Sequence, residues 1–186
     1  MLMKEYLFLK HKYRLQEMNV VEWKFLRLRP ASFPTLRLAQ LAALLHQHNR
    51  LFSKLLHATS IKEIETLFSV HTSDYWKTHY RFGIESKSRL KTIGNQRIKS
   101  IIINTLAPFY VLYSKNKQLS RFQYKSLAIL ADLEAENNTI VRRFEERGVT
   151  VTSSVQSQAL LQLKEKYCDI KKCLNCSIGN HWINKC

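Results

Sequence analysis

Glycine and proline are scarce in this chain, with four and three among 186 residues. Long flexible linkers are therefore excluded, and with Leu, Ile, Lys, Arg and Gln abundant the scarcity points to helices. Cysteine is absent from the first 167 residues, while all four cysteines fall in the last nineteen. That distribution excludes cysteine as ordinary core filling. Acidic residues are few, 14 against 30 Lys and Arg. None cluster as a catalytic pair, and so few argue against a metal-dependent hydrolase. No apolar run is long enough to span a bilayer, since the longest, Ile101 to Tyr113, is short and contains Asn104 and Thr105. The opening Met1-Leu2-Met3-Lys4-Glu5-Tyr6 brings charge back before an apolar region develops, so it is not expected to act as a secretory signal. Metalloprotease, phosphate-loop, nucleophile-elbow and dinucleotide fingerprints are all missing. The chain by itself is expected to be no enzyme, to avoid membranes and to work in the cytoplasm.

What is present is positive charge. The formal net charge is +16. Residues 1–100 hold 18 Lys and Arg against 7 Asp and Glu, and residues 101–186 hold 12 against 7. Such an excess attracts polyanions through counterion release and long-range steering. Nucleic acid is the first partner to expect, ahead of an acidic protein. A solvated basic surface without a dedicated ligand is the plain alternative.

Apolar periodicity gives the chain its expected organisation. Residues 2–16 read as an amphipathic helix, and residues 61–70 as a short one opened by the capping box Ser60-x-x-Glu63. Ser32 is expected to cap a helix that carries Pro34 in its first turn and runs to about His48. Its leucines and alanines cover nearly the whole circumference, which suits a central position in a bundle. Ser73 or Asp74 is expected to start a turn through Tyr75, Trp76, His79 and Tyr80, with a loop around Gly83. A long helix over about residues 95–114 should kink at Pro108, whose ring collides with the carbonyl of Asn104. Further helices are expected over 119–133, from Asn137 or Asn138 to Arg147 with Gly148 as its stop, and from Ser153 or Ser154 to Tyr167. The expected fold is all-α, an irregular bundle of seven or eight helices over residues 1–167. A short cysteine-rich clasp, residues 168–186, packs on it.

The spacing Cys168-x4-Cys173-x2-Cys176 brings three sulfurs within reach of one centre. Tetrahedral Zn²⁺ accepts such ligands, with Cys186 or His181 as the fourth. A structural zinc is the first reading and an iron–sulfur cluster the second. Disulfides suit a secreted chain, and reduced thiols in a small hairpin are the bland alternative. Two basic stretches are candidates for contact with phosphates. The first holds Arg27, Arg29, Arg37 and Gln40 among Trp23, Phe25 and Phe33. Arginine offers a planar fork to phosphate, and aromatics among basic residues can stack on bases. The aromatics can equally belong to the core, and the arginines can pair with Glu17, Glu22 or helix-end carbonyls. The second stretch carries Lys87, Arg89, Lys91, Arg97 and Lys99 with no acid between them.

Several segments together resemble one family. They are Trp23 to Pro30, Phe33-Pro34-Thr35-Leu36-Arg37-Leu38-Ala39-Gln40-Leu41-Ala42, Ile101 to Pro108, Ser157 to Leu163, and Tyr167-Cys168 through Cys173-Leu174-x-Cys176-x-Ile178-Gly179. On these residues the chain resembles domain-of-unknown-function family 2851 along essentially its whole length. The resemblance implies no established activity. It implies that this chain corresponds to the C-terminal half of longer relatives, whose N-terminal half looks like a nuclease core. Catalytic residues would then lie outside this chain.

The expected function is a non-catalytic nucleic-acid-binding module, accessory to that nuclease-like domain. A protein-interaction or scaffold domain, with the basic face on an acidic partner or on the missing domain, is the second reading. An iron–sulfur or redox protein is the third.

Overall fold

The computed structural model describes residues 2–184. In chain order its helices are α1 (Leu2–Tyr13), α2 (Pro34–Gln47), α3 (Leu51–His57), α4 (Ile61–Phe68), α5 (Tyr75–Thr78), α6 (Asn95–Ile101), α7 (Ala107–Lys117), α8 (Arg121–Asp132), α9 (Thr139–Glu145), α10 (Ser154–Leu163) and α11 (Ser177–Ile183). Two short strands, β1 (His79–Arg81) and β2 (Ile84–Glu85), form an antiparallel hairpin between α5 and α6. The protein is thus essentially all-α. No described helix is long and apolar enough to cross a membrane. The chain divides into two compact units, residues 1–49 with 70–92 and residues 50–69 with 93–186. The division falls inside the 1–167 segment, and the cysteine-bearing C-terminus belongs to the second unit.

In the first unit, α2 starts at Pro34 as expected, but Ser32 does not cap it. Ser32 closes a 3-10 turn, and extended Phe33 precedes the helix without a side-chain bond. Proline at the first helical position lacks an N–H that would otherwise need an acceptor. Only Leu36, Gln40 and Leu44 of α2 are buried. Leu38, Leu41 and Leu45 are 48, 47 and 56% exposed, so this is not the central helix that its composition implied. The helix expected to run on to Tyr80 ends at Thr78. The chain then turns back as the hairpin, with Gly83 at φ +72°, a left-handed position that favours glycine. Trp76 and Val70 join Leu36 and Leu44 among the buried residues.

The second unit is built around one interrupted helix. The segment from Asn95 to Lys117 is interrupted ahead of Pro108 by a π-turn at Ile102–Leu106, which runs directly into Ala107 and Pro108. There the Ala107 N–H reaches back five residues to the Ile102 carbonyl. Widening the turn relieves the clash that Pro108 would make in a straight α-helix. Asn104, within the turn, donates to the Ser100 carbonyl at 3.0 Å. Ile98, Ile102, Leu106 and Tyr110 are buried along this segment, and Phe122, Ile129 and Leu133 are buried on α8 or at its end.

Local signals placed the remaining ends. Ser60 accepts from the Glu63 N–H at 3.2 Å, while the Glu63 carboxylate takes both the N–H and the hydroxyl of Thr59 at 2.8 Å. Those two bonds hold the Glu63 carboxyl below its ordinary pKa. Asn138 caps α9 through the Ile140 and Val141 N–H groups, and Ser153 with Gln156 forms a capping box on α10. Gly148 adopts φ +84° after α9. The extended piece after it forms a single bridge, Glu134 with Ser153.

Candidate nucleic-acid interface

The expected site residues divide between the units. Arg27, Arg29, Arg37, Gln40, Lys87, Arg89 and Lys91 belong to the first, whereas Arg97 and Lys99 belong to the second. Each unit therefore has its own arrangement.

In the first unit Arg27 sits inside a tight turn closed by the Leu28 N–H on the Phe25 carbonyl at 3.3 Å, and Arg29 follows that turn. Arg27 takes φ +62°, and Arg29 is extended because a proline follows it. Both are exposed and have no carboxylate partner among the described residues. Phe25 and Phe33 meet edge to face with centroids 5.2 Å apart, so these two aromatics pack on each other. Trp23 is half-buried.

Arg37, Gln40 and Lys91 form one chain of bonds, buried at Gln40 and Lys91. Arg37 Nη1 donates to Gln40 Oε1 at 2.7 Å, and Gln40 Nε2 donates to the Lys91 carbonyl at 2.9 Å. Gln40 is 2% exposed and Lys91 6%. The Lys91 ammonium donates to the Trp76 and Lys77 carbonyls at 2.8 Å and to Ser86 Oγ at 3.1 Å. It also lies 4.1 Å from the centre of the Tyr80 ring. Desolvation, and secondarily the charge of Arg89, lowers its pKa. All three protons of the ammonium thus have acceptors, and burial closes its approach to a phosphate. Gln40 is equally enclosed. These two residues hold the end of α5 and the start of the hairpin in place.

Lys87 and Arg89 are exposed. Arg89 reaches over the Tyr80 ring at 5.8 Å, and its backbone N–H donates to the Lys77 carbonyl at 3.0 Å. In the second unit, Arg97 is exposed in the first turn of α6. Lys99 instead pairs with Glu134 at 2.6 Å, which holds the Glu134 carboxyl below its ordinary pKa.

Composition and spacing missed the hairpin. His79-Tyr80-Arg81-Phe82-Gly83-Ile84 carries its aromatics two apart, with a glycine after them, which is a short-range hairpin signal. Its Arg81 is exposed, and Phe82 is 71% exposed.

At the C-terminus, Cys168 lies in a second π-turn, Lys164–Cys168, that continues α10. Cys173 opens a 3-10 turn that leads to Cys176 and α11. Cys168 and Cys173 are exposed free thiols and Cys176 is buried. Gly179 of α11 lies so close to this turn that a Cβ would stand 2.5 Å from the Cys173 carbonyl oxygen. No described group of three His, Cys, Asp or Glu side chains gathers as one ion would require. His181 is exposed, and Cys186 lies outside the described residues. An open cleft of about 820 Å³ in the second unit is lined by Asn104, Glu136, Gln158, Lys164, Glu165 and Asp169, among others. Its carboxylates have partners: Asp169 takes Lys164 at 2.6 Å, Glu165 takes Lys166 at 2.6 Å, and Glu136 takes Gln158.

The family described as Protein of unknown function (DUF2851) matches residues 1–139, and the chain belongs to it. The match stops short of Ser157 to Leu163 and of the cysteine segment, so it covers less of the chain than the resemblance did. No curated protein and no solved structure matches the chain.

Proposed function

We propose that the chain is a non-catalytic, basic helical module that binds nucleic acid as the accessory of a nuclease-like domain it does not itself contain. The observation that carries this reading is the set of exposed cations without a carboxylate partner among the described residues: Arg27, Arg29, Lys87 and Arg89 in the first unit, and Arg97 in the second. Where a positive surface only solubilises, neighbouring acids usually intersperse it. The Lys87 to Lys99 stretch contains none. Arg37 supports this role by its fixed geometry, while Gln40, Lys91 and Lys99 act within the fold. The test is titration of single- and double-stranded oligonucleotides at 50 and 200 mM salt (round values on the order of those used for such comparisons). Affinity should fall steeply with salt as counterions are released. Undetectable binding at the lower salt, or binding insensitive to salt, sinks the reading.

The second reading, a protein-interaction scaffold, draws support from the exposed leucines of α2, Leu38, Leu41 and Leu45. They recur at helical spacing along one face, a pattern that suits a partner helix.

For the C-terminus, the proposal is a structural zinc held by Cys168, Cys173 and Cys176 with Cys186 or His181. Support comes from the lack of a local core, since Ile170, Leu174 and Ile178 are all exposed and Cys176 is the one buried residue between Asp169 and Gly179. Small segments of this kind need a staple. Metal analysis should return stoichiometric zinc that Cys173→Ser removes. Brown protein with visible absorbance would indicate the iron–sulfur alternative instead.

A further inference from the structure

The hairpin tip combines features that neither the helical bundle nor its core requires. Phe82 stands 71% exposed at the turn, one residue from Gly83. A two-stranded hairpin is marginal in water on its own. This one is fastened at several points. The Gly83 N–H donates to the Tyr75 hydroxyl at 3.1 Å, and the Ser86 N–H donates to the Thr78 carbonyl at 2.6 Å. Thr35 of α2 donates its hydroxyl to the Tyr80 carbonyl at 2.6 Å. Tyr75 stacks on His79 with centroids 3.9 Å apart, and the Trp76 and Phe82 rings meet at 5.3 Å with their planes 63° apart. The buried Lys91 ammonium ties the carbonyls of Trp76 and Lys77 from beneath. A support this rigid costs conformational entropy, yet the ring it carries stays in solvent.

Cations outnumber free acids along the hairpin segment and the stretch that follows it. Arg81, Lys87 and Arg89 are exposed, and no carboxylate pairs with them among the described residues. Of the nearby acids, Asp74 pairs with Lys77 at 2.7 Å, and only Glu85, opposite His79 in the hairpin register, is exposed without a partner. A pre-fixed aromatic ring next in sequence to Arg81, on a segment that also carries Lys87 and Arg89, has a definite chemical complement. The ring offers a face to a flat heterocycle, and the cations suit the phosphates on either side of it.

We propose that the β1–β2 tip is a stacking platform for single-stranded nucleic acid. Phe82 stacks on one unpaired base, and Arg81, Lys87 and Arg89 contact the flanking phosphates. This rests on the nucleic-acid reading above and adds the strand state and the residue that meets a base. A single strand is the fitting ligand because the ring protrudes from a turn, and in a duplex both faces of each internal base are already covered. Stacking tolerates any base, so little sequence preference is expected.

The test uses the full chain and a single-stranded oligonucleotide carrying one 2-aminopurine, with its blunt duplex and anionic phosphatidylserine vesicles as comparison ligands. Phe82→Ala should weaken single-strand binding by about 5- to 150-fold, remove the stacking-dependent change in 2-aminopurine fluorescence, and leave the salt dependence unchanged. Phe82→Trp should retain both affinity and signal, which separates stacking from loss of the hairpin. Lys87→Ala should instead lower the slope of log affinity against log salt by roughly 0.7, the single-strand value for one phosphate contact. If the wild-type chain binds the strand with strong salt dependence and Phe82→Ala binds it equally well, the platform is overturned while the basic module stands. Failure of the wild-type chain to bind any oligonucleotide at low salt overturns both. Equal loss on the duplex, or loss confined to the vesicles, also overturns the platform, the latter in favour of a membrane surface.

Discussion

The unit of residues 50–69 and 93–184 fills its interior with apolar side chains: Ile64, Ile98, Ile102, Tyr110, Phe122, Ile129 and Val141 are all buried, and its buried serines bond to backbone groups. The unit of residues 2–49 and 70–92 buries fewer apolar residues and encloses Gln40 and Lys91 with them, Lys91 being the one charged residue buried among those described. It leaves Leu38, Leu41, Leu45 and Phe82 in solvent. It also carries 13 Lys and Arg against 5 Asp and Glu, while the larger second unit has 17 against 9. The surplus is therefore the same in both and denser in the first. The closely packed second unit also exposes apolar side chains, Leu112, Tyr124 and Leu174 among them, but spreads them over a larger surface. A unit held by directional bonds to carbonyls has apolar rings and cations left over for its surface, and that is where ligand contact is expected.

Truncation separates the two units most sharply. Tyr110→Ala removes a fully buried ring that stacks near Phe122 and donates to the Leu55 carbonyl at 2.5 Å. It should cost about 3–5 kcal/mol, read from urea denaturation. Leu41→Ala, on the open face of α2, should change stability by no more than about 0.5 kcal/mol. A cost above about 2 kcal/mol at Leu41 would erase the contrast, because that leucine would then be packed like a core residue.

Lys91→Met comes next. It keeps the apolar stem but strips the Trp76 and Lys77 carbonyls of a shared donor. A loss of about 1–3 kcal/mol is expected, seen as a lower urea midpoint. Unchanged stability would mean that the ammonium fixes the hairpin without stabilising it.

The smallest effect lies in alkaline titration, where the units respond with opposite sign. Lys91 has a lowered pKa in the folded protein, so the unfolded chain binds more protons just below the ordinary lysine value, and stability rises with pH there. Tyr110 is pushed up to about 12 by burial. Between the ordinary tyrosine value near 10 and about 12 the folded protein holds the extra proton, so stability falls as pH rises. Stability measured from pH 8 to 11 should lose its rise in Lys91→Met and its decline in Tyr110→Phe. The same curve in all three proteins would count against both assignments.

Helix ends were legible because their causes are local. Ser60 with Glu63, Asn138, Ser153 with Gln156, and Gly148 each act within a few residues, and each stands where its residue type implied. The open face of α2 was not legible, since counting leucines around a helix cannot tell how many neighbours arrive to cover them. Lys91 read as one more cation in a basic run. Its burial depends on carbonyls fourteen and fifteen residues earlier, to which no sequence pattern points. The hairpin was lost because strands of two and three residues carry too little periodicity to outweigh a helix start at Tyr75. For the cysteines, spacing describes closeness along the chain, and the zinc proposed from it is for metal analysis to decide.

Along the interrupted helix the buried positions Ile98, Ile102, Leu106, Tyr110 and Ser114 recur every fourth residue. An ordinary α-helix advances about 100° per residue, so an uninterrupted one would slip by about 40° at each of these steps and swing the late members toward water. The wide turn at Ile102–Leu106 absorbs one residue and resets the phase before Tyr110. Length here is thus a coded quantity. Removing one amino acid from within the turn would convert the five-residue reach of the Ala107 N–H to the Ile102 carbonyl into an ordinary four-residue one and keep the faces of α7, whereas removing one just beyond Ala107 would rotate everything downstream by about 100°. A deletion beyond the turn, where no slack exists, would displace the inner face of α7 more thoroughly than any single substitution along it.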